Sequence, residues 1–195
     1  MGATTILALT VLFSLIGLQS RRVIDWAMLR PYLVARRSRY HSLVTSGFVH
    51  ADLGHLLFNL ITFYSFGFAL ERTLGTASFV TLYALGLLIS NIGTTVKHRD
   101  DPNYASLGAS GAILAVLFAS ILYFPQQRMF ILPLPIPIPA PLFAIGYLAL
   151  SYYWSRHSKD RINHDAHLGG ALTGLTFVAV TNPDRYRALL DSLMG

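Results

Sequence analysis

Six apolar stretches, each near the length of a membrane crossing, govern what this chain of 195 residues can fold into. They run over Ala3–Leu18, Leu53–Leu70, Ser78–Val96, Ser110–Phe124, Pro141–Trp154 and Ala166–Thr181. A helix crossing the roughly 30 Å hydrocarbon core needs about 20 mostly apolar residues, or fewer where the bilayer thins. Several of the stretches are short by that measure and the fifth is the weakest. Short spans fit a bundle that thins the membrane or admits water. Only 12% of the residues are charged, and mean hydropathy is +0.51; a soluble domain carries about 25% charge. The expected fold is all-α and polytopic: six transmembrane helices forming one membrane domain over residues 1–195, its motif-bearing core at 40–181.

Composition narrows the function. With no cysteine, disulfides and thiolate metal sites are excluded. A net charge of +6 and a pI near 9.8 would suit nucleic acid. The basic residues, however, lie between apolar runs, where they meet anionic headgroups, so membrane lipids and not nucleic acid are the expected partner. The first run lacks preceding basic residues and a small-residue cleavage site, and reads as a retained span, not a signal peptide.

The connections carry their own signals. Residues 19–52 hold Arg21, Arg22, Arg30, Arg36, Arg37 and Arg39 among Trp26, Tyr32 and Tyr40, a mixture suited to the headgroup layer. Glu71 to Gly75 reads as a tight polar turn, with Glu71 a helix-end or turn anchor, and Lys97 to Tyr104 as a short polar loop. From Pro133 to Pro141 proline alternates with mostly apolar residues, which forbids a helix and suggests an extended interfacial hairpin. His41, His98, His157 and His164 read as loop residues.

Strongly polar side chains are costly in lipid and face a bundle interior or a wet cavity. Here they form three groups: His50, Asp52, His55 and Asn59 entering the second run; Gly108-Ala109-Ser110-Gly111 opening the fourth; and Asn163, His164, Asp165 and His167 opening the sixth. Successive spans alternate direction, so the starts of the second, fourth and sixth share one side of the membrane. His55 and Asn59, four apart, share a helix face. Gly108 and Gly111 flank Ser110 and permit close approach. Gly170 and Gly174 make a small-xxx-small face; if it presses on the fourth helix, His167 reaches Ser110. Such a serine–histidine pair is the minimum for acyl transfer. The Ser110 N–H, the Asn59 amide and the His55 imidazole are candidate oxyanion donors. Asp165 should point elsewhere on its helix, favouring a dyad over a triad.

Each feature alone has a plainer reading. A helical serine usually bonds its own backbone, and an intramembrane asparagine usually joins helices. His50, His55 and His167 could bind metal, but no intramembrane carboxylate accompanies them, and five-residue spacing does not align two ligands on a helix face. Only the conjunction points to catalysis.

That conjunction resembles the rhomboid family of intramembrane proteases. His50-x₄-His55-x₃-Asn59, Gly108-x-Ser110-Gly111 and Ala166-His167-x₂-Gly170-x₃-Gly174 are similar to its three motifs in order, and Glu71 to Gly75 to its turn after the second span. The resemblance implies a six-helix fold with a water-filled cavity open to the extracytoplasmic side, and single-span membrane proteins as substrates. It implies Ser110 as nucleophile, His167 as general base, and Asn59, His55 and the Ser110 amide around the oxyanion. His50 would brace the loop before the nucleophile and Gly108 would shape it. No metal or cofactor is implied, and a bacterial plasma membrane is the expected location.

Two positions depart from the family pattern. Tyr40-His41 stands where many members have Trp-Arg, and Leu114 where many have an aromatic residue packing on the histidine, which must here be held by other contacts. The charge distribution opposes the implied topology, because eleven basic residues (Lys159 and Arg161 among them) lie on the active-site side and four opposite. Six of the eleven belong to one interfacial loop, and the family orientation is preferred. The competing functions are an inactive rhomboid-like protein that binds membrane segments, and a small channel or transporter using the histidines for protons or metal.

Overall fold

The computed structural model describes residues 1–131, 134–158, 160 and 162–194. Pro133, Lys159 and Arg161 lie outside them. The chain is mostly helical: α1 (Gly2–Gln19), α2 (Arg21–Ala27), α3 (Pro31–Ala35), α4 (Ser42–Thr45), α5 (Leu53–Leu74), α6 (Thr76–His98), α7 (Ser110–Tyr123), α8 (Ala140–His157), α9 (His164–Thr181) and α10 (Asp184–Met194). Strands β1 (Arg128–Ile131) and β2 (Leu134–Pro139) form an antiparallel hairpin between α7 and α8, with Met129 opposite Ile138. Proline at every second position leaves all the missing donors of β2 on one edge, so the other edge can pair.

The long helices α1, α5, α6, α7, α8 and α9 lie over the six apolar runs. Among the described residues, α1, α5 and α6 are long and apolar enough to cross a membrane, and α7 is a shorter apolar helix. Local chemistry sets their ends. Asp52 caps α5 by accepting from the His55 N–H at 2.7 Å, and Asn163 caps α9 by accepting from the Ala166 N–H at 3.0 Å. Gly75 separates α5 from α6 at a φ of 77°, a conformation that favours glycine.

Three local expectations need correction. Glu71 to Leu74 are helical, so only Gly75 is a turn. The α5 helix continues because Glu71 is buried against the start of α1, accepting from the Gly2 and Ala3 N–H groups at 2.7 and 3.0 Å and from the Thr76 hydroxyl at 2.8 Å. Residues 19–52 are mainly short helices, with a 3₁₀ turn at Ser46–Phe48. His98 and His157 end helices, while His164 opens α9 and is buried; the His98 and His164 rings bond Asp165 and Asp160, which fixes them at helix ends.

The core centres on α7, whose residues from Gly111 through Leu122 are all buried. A helix apolar all round belongs inside a bundle, and α5, α6, α8 and α9 pack around it. Missing side chains set how closely they pack. A Cβ on Gly170 would land on the Gly111 carbonyl oxygen, and one on Gly174 on the Ala115 carbonyl oxygen. On the other side, a Cβ on Gly86 of α6 would lie 3.1 Å from the Ala112 Cα. Outward faces stay apolar, with Leu57, Phe58, Ile61 and Tyr64 exposed on α5 and Leu142 and Ile145 on α8.

The glycine contacts yield a direct expectation. Gly174→Leu should destabilise the fold by about 1–3 kcal/mol, the usual cost of overpacking, and should push α9 off α7. Chemical unfolding in detergent reads the loss. A variant as stable as the wild type would show that the two backbones do not meet there.

Candidate active site

Ser110 is the first residue of α7, and His167 lies one turn into α9. Because the two helices meet through glycine, the His167 Nε2 comes within 2.9 Å of the Ser110 Oγ. The other ring nitrogen, Nδ1, lies 3.1 Å from the hydroxyl of Tyr147 on α8. A serine hydroxyl bonded to imidazole can lose its proton to that ring as it attacks a carbonyl.

The loop before Ser110 is fastened at several points. Leu29 and Ser106 exchange both backbone hydrogen bonds, at 2.8 and 3.0 Å, and the Gly108 N–H donates to the Ser46 carbonyl at 2.9 Å. Gly108 has a φ of 118°, and a Cβ there would lie 2.6 Å from the His55 Cε1. Glycine is therefore required twice over, by conformation and by space. Gly111 is similarly confined: an added Cβ would lie 2.7 Å from the Ser90 Cβ and 3.3 Å from the Ala166 carbonyl.

His50 is fully buried beneath this loop. The Ala109 N–H can only donate, so the His50 Nε2, at 3.4 Å, accepts. The proton then sits on Nδ1 and is donated to the Ser14 Oγ at 2.8 Å, whose hydroxyl donates to the Phe48 carbonyl at 3.0 Å. One chain of bonds thus joins α1, the first loop and the residue before Ser110, and it works only with neutral imidazole. Burial above all, with the neighbouring His55 ring, pushes the His50 pKa down to about 3.

His55 and Asn59 occupy the same face of α5. The His55 ring meets His50 edge to face at 4.9 Å, and the Asn59 Nδ2 donates to the His55 carbonyl at 2.9 Å. That bond engages one amide hydrogen of Asn59 and leaves a second. Asn59 is buried and lines a small cavity with Ala109, Tyr83 and Thr10. The start of α5 therefore borders the residue that precedes Ser110.

Asp165 turns away from His167 and bonds Lys97 at 2.8 Å and His98 at 3.4 Å. Buried His164 bonds Asp160 at 3.1 Å, and its ring stands edge to face with His167 at 6.1 Å. Two further residues enter the site. The Asn163 Nδ2 donates to the Thr94 and Ser106 hydroxyls at 3.0 and 3.3 Å, tying α6 and the loop before α7 to the start of α9; its N-cap position before an apolar run was the available signal. Tyr147 had none beyond a hydroxyl inside the weakest apolar run.

Comparison with known proteins gives a consistent family. Residues 37–183 match the Rhomboid domain. The Bacillus subtilis (strain 168) protein YdcA, provisionally named a rhomboid protease, is 33% identical over 93% of this chain and 90% of its own length. RHOMBOID-like protein 12, mitochondrial, of Arabidopsis thaliana is 30% identical over 78% of this chain. The presenilin-associated rhomboid-like protein, mitochondrial, of Rattus norvegicus is 32% identical over 70%. The chain spans 49% and 37% of the length of these last two.

The His50 wiring sets a pH dependence. The unfolded chain binds a proton at His50 near 6.5, and the folded one only near 3. Below 6.5 the unfolded state therefore holds more protons, and stability falls as pH drops from 6.5 toward 3. His50→Asn should be less stable at neutral pH and should show a shallower decline across that window. Equal slopes for the two proteins, measured by unfolding in detergent, would exclude a neutral buried imidazole.

Proposed function

The chain belongs to the rhomboid family, a multi-pass membrane family, and from that premise we propose that it is an intramembrane serine endopeptidase cleaving transmembrane segments of membrane proteins. What supports the reading is the 2.9 Å bond between Ser110 and His167 at the adjoining starts of α7 and α9. Ser110 is the nucleophile. His167 takes its proton as general base and returns it to the leaving amine. The tetrahedral oxyanion lies against the Ser110 N–H, the free hydrogen of the Asn59 amide and the His55 imidazole. His50 braces the loop carrying Ala109, and Gly108 and Gly111 shape the approach to the nucleophile. Gly170 and Gly174 hold α9 against α7.

On this reading α1, α5, α6, α7, α8 and α9 are the six spans of one membrane domain, bathed in lipid, and the reaction needs no cofactor or metal. The membrane is a bacterial plasma membrane, in keeping with the nearly end-to-end match to the Bacillus protein. The rhomboid-like names of other relatives favour a second reading, a binder of membrane segments that does not cut. A binder has no use for a bonded serine–histidine pair.

A fluorophosphonate probe should label the wild type and not Ser110→Ala, and both Ser110→Ala and His167→Ala should abolish cleavage of transmembrane reporter substrates. No labelling of folded wild-type protein would favour the binder; full cleavage by His167→Ala would remove the dyad. Asn59→Ala should lower kcat by about 10²–10³-fold, the usual cost of losing one oxyanion donor. An unchanged rate would take Asn59 out of the oxyanion site.

A further inference from the structure

The bond from Tyr147 to His167 crosses from α8 to α9 and involves the ring nitrogen that faces away from Ser110. A base must present a lone pair to the hydroxyl it deprotonates, so His167 can act only if its proton sits on Nδ1. That tautomer is one of two, and in a ring with one free nitrogen nothing internal selects it. The Tyr147 oxygen selects it if it accepts the Nδ1 hydrogen. If the phenol instead donated to Nδ1, the proton would sit on Nε2, pointing at Ser110, and the pair would be idle.

Deprotonation of Ser110 requires the first of these arrangements. Ser151, one turn further along α8, is buried and hydrogen-bonds the Tyr147 hydroxyl, and a serine hydroxyl can accept as well as donate. The phenol can thus give its proton to Ser151 while its oxygen accepts from the His167 Nδ1, 3.1 Å away. Its ring is held between Phe118 of α7, at 5.7 Å, and Phe143, at 5.6 Å, so the oxygen is not free to wander. A carboxylate in this place would be a charge among apolar helices, costly to bury. A phenol orients the ring without a charge.

We propose that Tyr147 is a positioning residue for the reaction: a neutral third member that fixes the His167 tautomer and orients its Nε2 toward Ser110. The inference rests on the proteolytic reading above. It also identifies what holds the histidine of a chain with Leu114 where an aromatic residue would otherwise pack: the support comes from α8, not from α7.

Tyr147→Phe keeps the ring and removes only the oxygen. It should lower kcat roughly 3- to 10-fold, the worth of one hydrogen bond, with KM unchanged. In ¹⁵N-histidine NMR spectra, with the His167 signals identified by their loss in His167→Asn, the wild type should show a protonated Nδ1 and a bare Nε2. Tyr147→Phe should show a mixture of the two tautomers. A purely structural tyrosine would lower stability and leave the tautomer alone. Wild-type kcat together with an unchanged tautomer in Tyr147→Phe overturns the inference while leaving the dyad standing. Should the wild type fail to cleave or to label, the proteolytic reading falls, and the NMR comparison still reports whether Tyr147 sets the proton.

Discussion

The approach of α9 to α7 is the constraint on which the rest of the site depends. Two helices normally stand 8–10 Å apart, a separation set by the side chains between them. At Gly170 and Gly174 there are none, and each glycine faces a backbone carbonyl of α7, that of Gly111 or Ala115. The contact is nearest at Gly111, the residue after Ser110. The turn of α9 that carries Gly170 also carries His167, so the register that seats one seats the other. Any larger side chain at 170 must separate the helices at the level where serine and imidazole meet. Stability and geometry are here the same contact.

Around that contact, polar groups are joined in ways that avoid charge. The run from the Ala109 N–H through His50 and Ser14 to the Phe48 carbonyl begins and ends on backbone, and every link has one donor and one acceptor. Asn163, Thr94 and Ser106 form a second neutral group. Ion pairs stand further out. Asp165 meets Lys97 where α6 ends and α9 begins, and Arg30 meets Asp25 in the first connection. This division follows dielectric constant. An unpaired charge deep in the bundle would cost several kcal/mol, whereas a satisfied neutral hydrogen bond costs little and is directional. Directional bonds are what a loop placing a nucleophile requires.

Much of the fold was legible because its determinants are one-dimensional. An apolar run of 15 to 20 residues becomes a helix whatever surrounds it, and the helices observed begin and end within a few residues of those runs. Counting the runs was enough to bring residues 50, 110 and 167 to one side. Glycine spacing then suggested which helices meet. The errors arose where a local rule met a tertiary partner. The polar segment from Glu71 to Gly75 read as a turn, but the N–H groups at the start of α1 give Glu71 partners, so it anchors a helix end and α5 runs on to Leu74. Tyr147 was invisible for a related reason. The rotation of α8 about its axis is set by packing against α7 and α9, and no periodicity in a helix polar on several faces records which of Tyr147, Tyr152 or Tyr153 turns inward. Tyr152 and Tyr153 are exposed; Tyr147 is not.

The same view of side-chain partners bears on the orientation that the family resemblance implies. A tally of basic residues places most of them on the side of Ser110, which by the positive-inside tendency would face the cytoplasm. That tendency concerns short connections whose cations are free to interact with the insertion machinery and anionic lipid. Several of the arginines in the first connection are engaged otherwise. Arg36 donates to the carbonyls of Tyr32 and Arg99, Arg39 to the carbonyl of Asp25, and Arg30 pairs with the Asp25 carboxylate. The guanidinium of Arg36 also lies 3.6 Å from the centre of the Tyr32 ring. These cations hold the first connection together, with its short helices and the stacked Trp26 and His41 rings. Setting these three arginines aside still leaves eight basic residues on the side of Ser110 against four opposite, so the charge pattern and the orientation implied by the family point opposite ways.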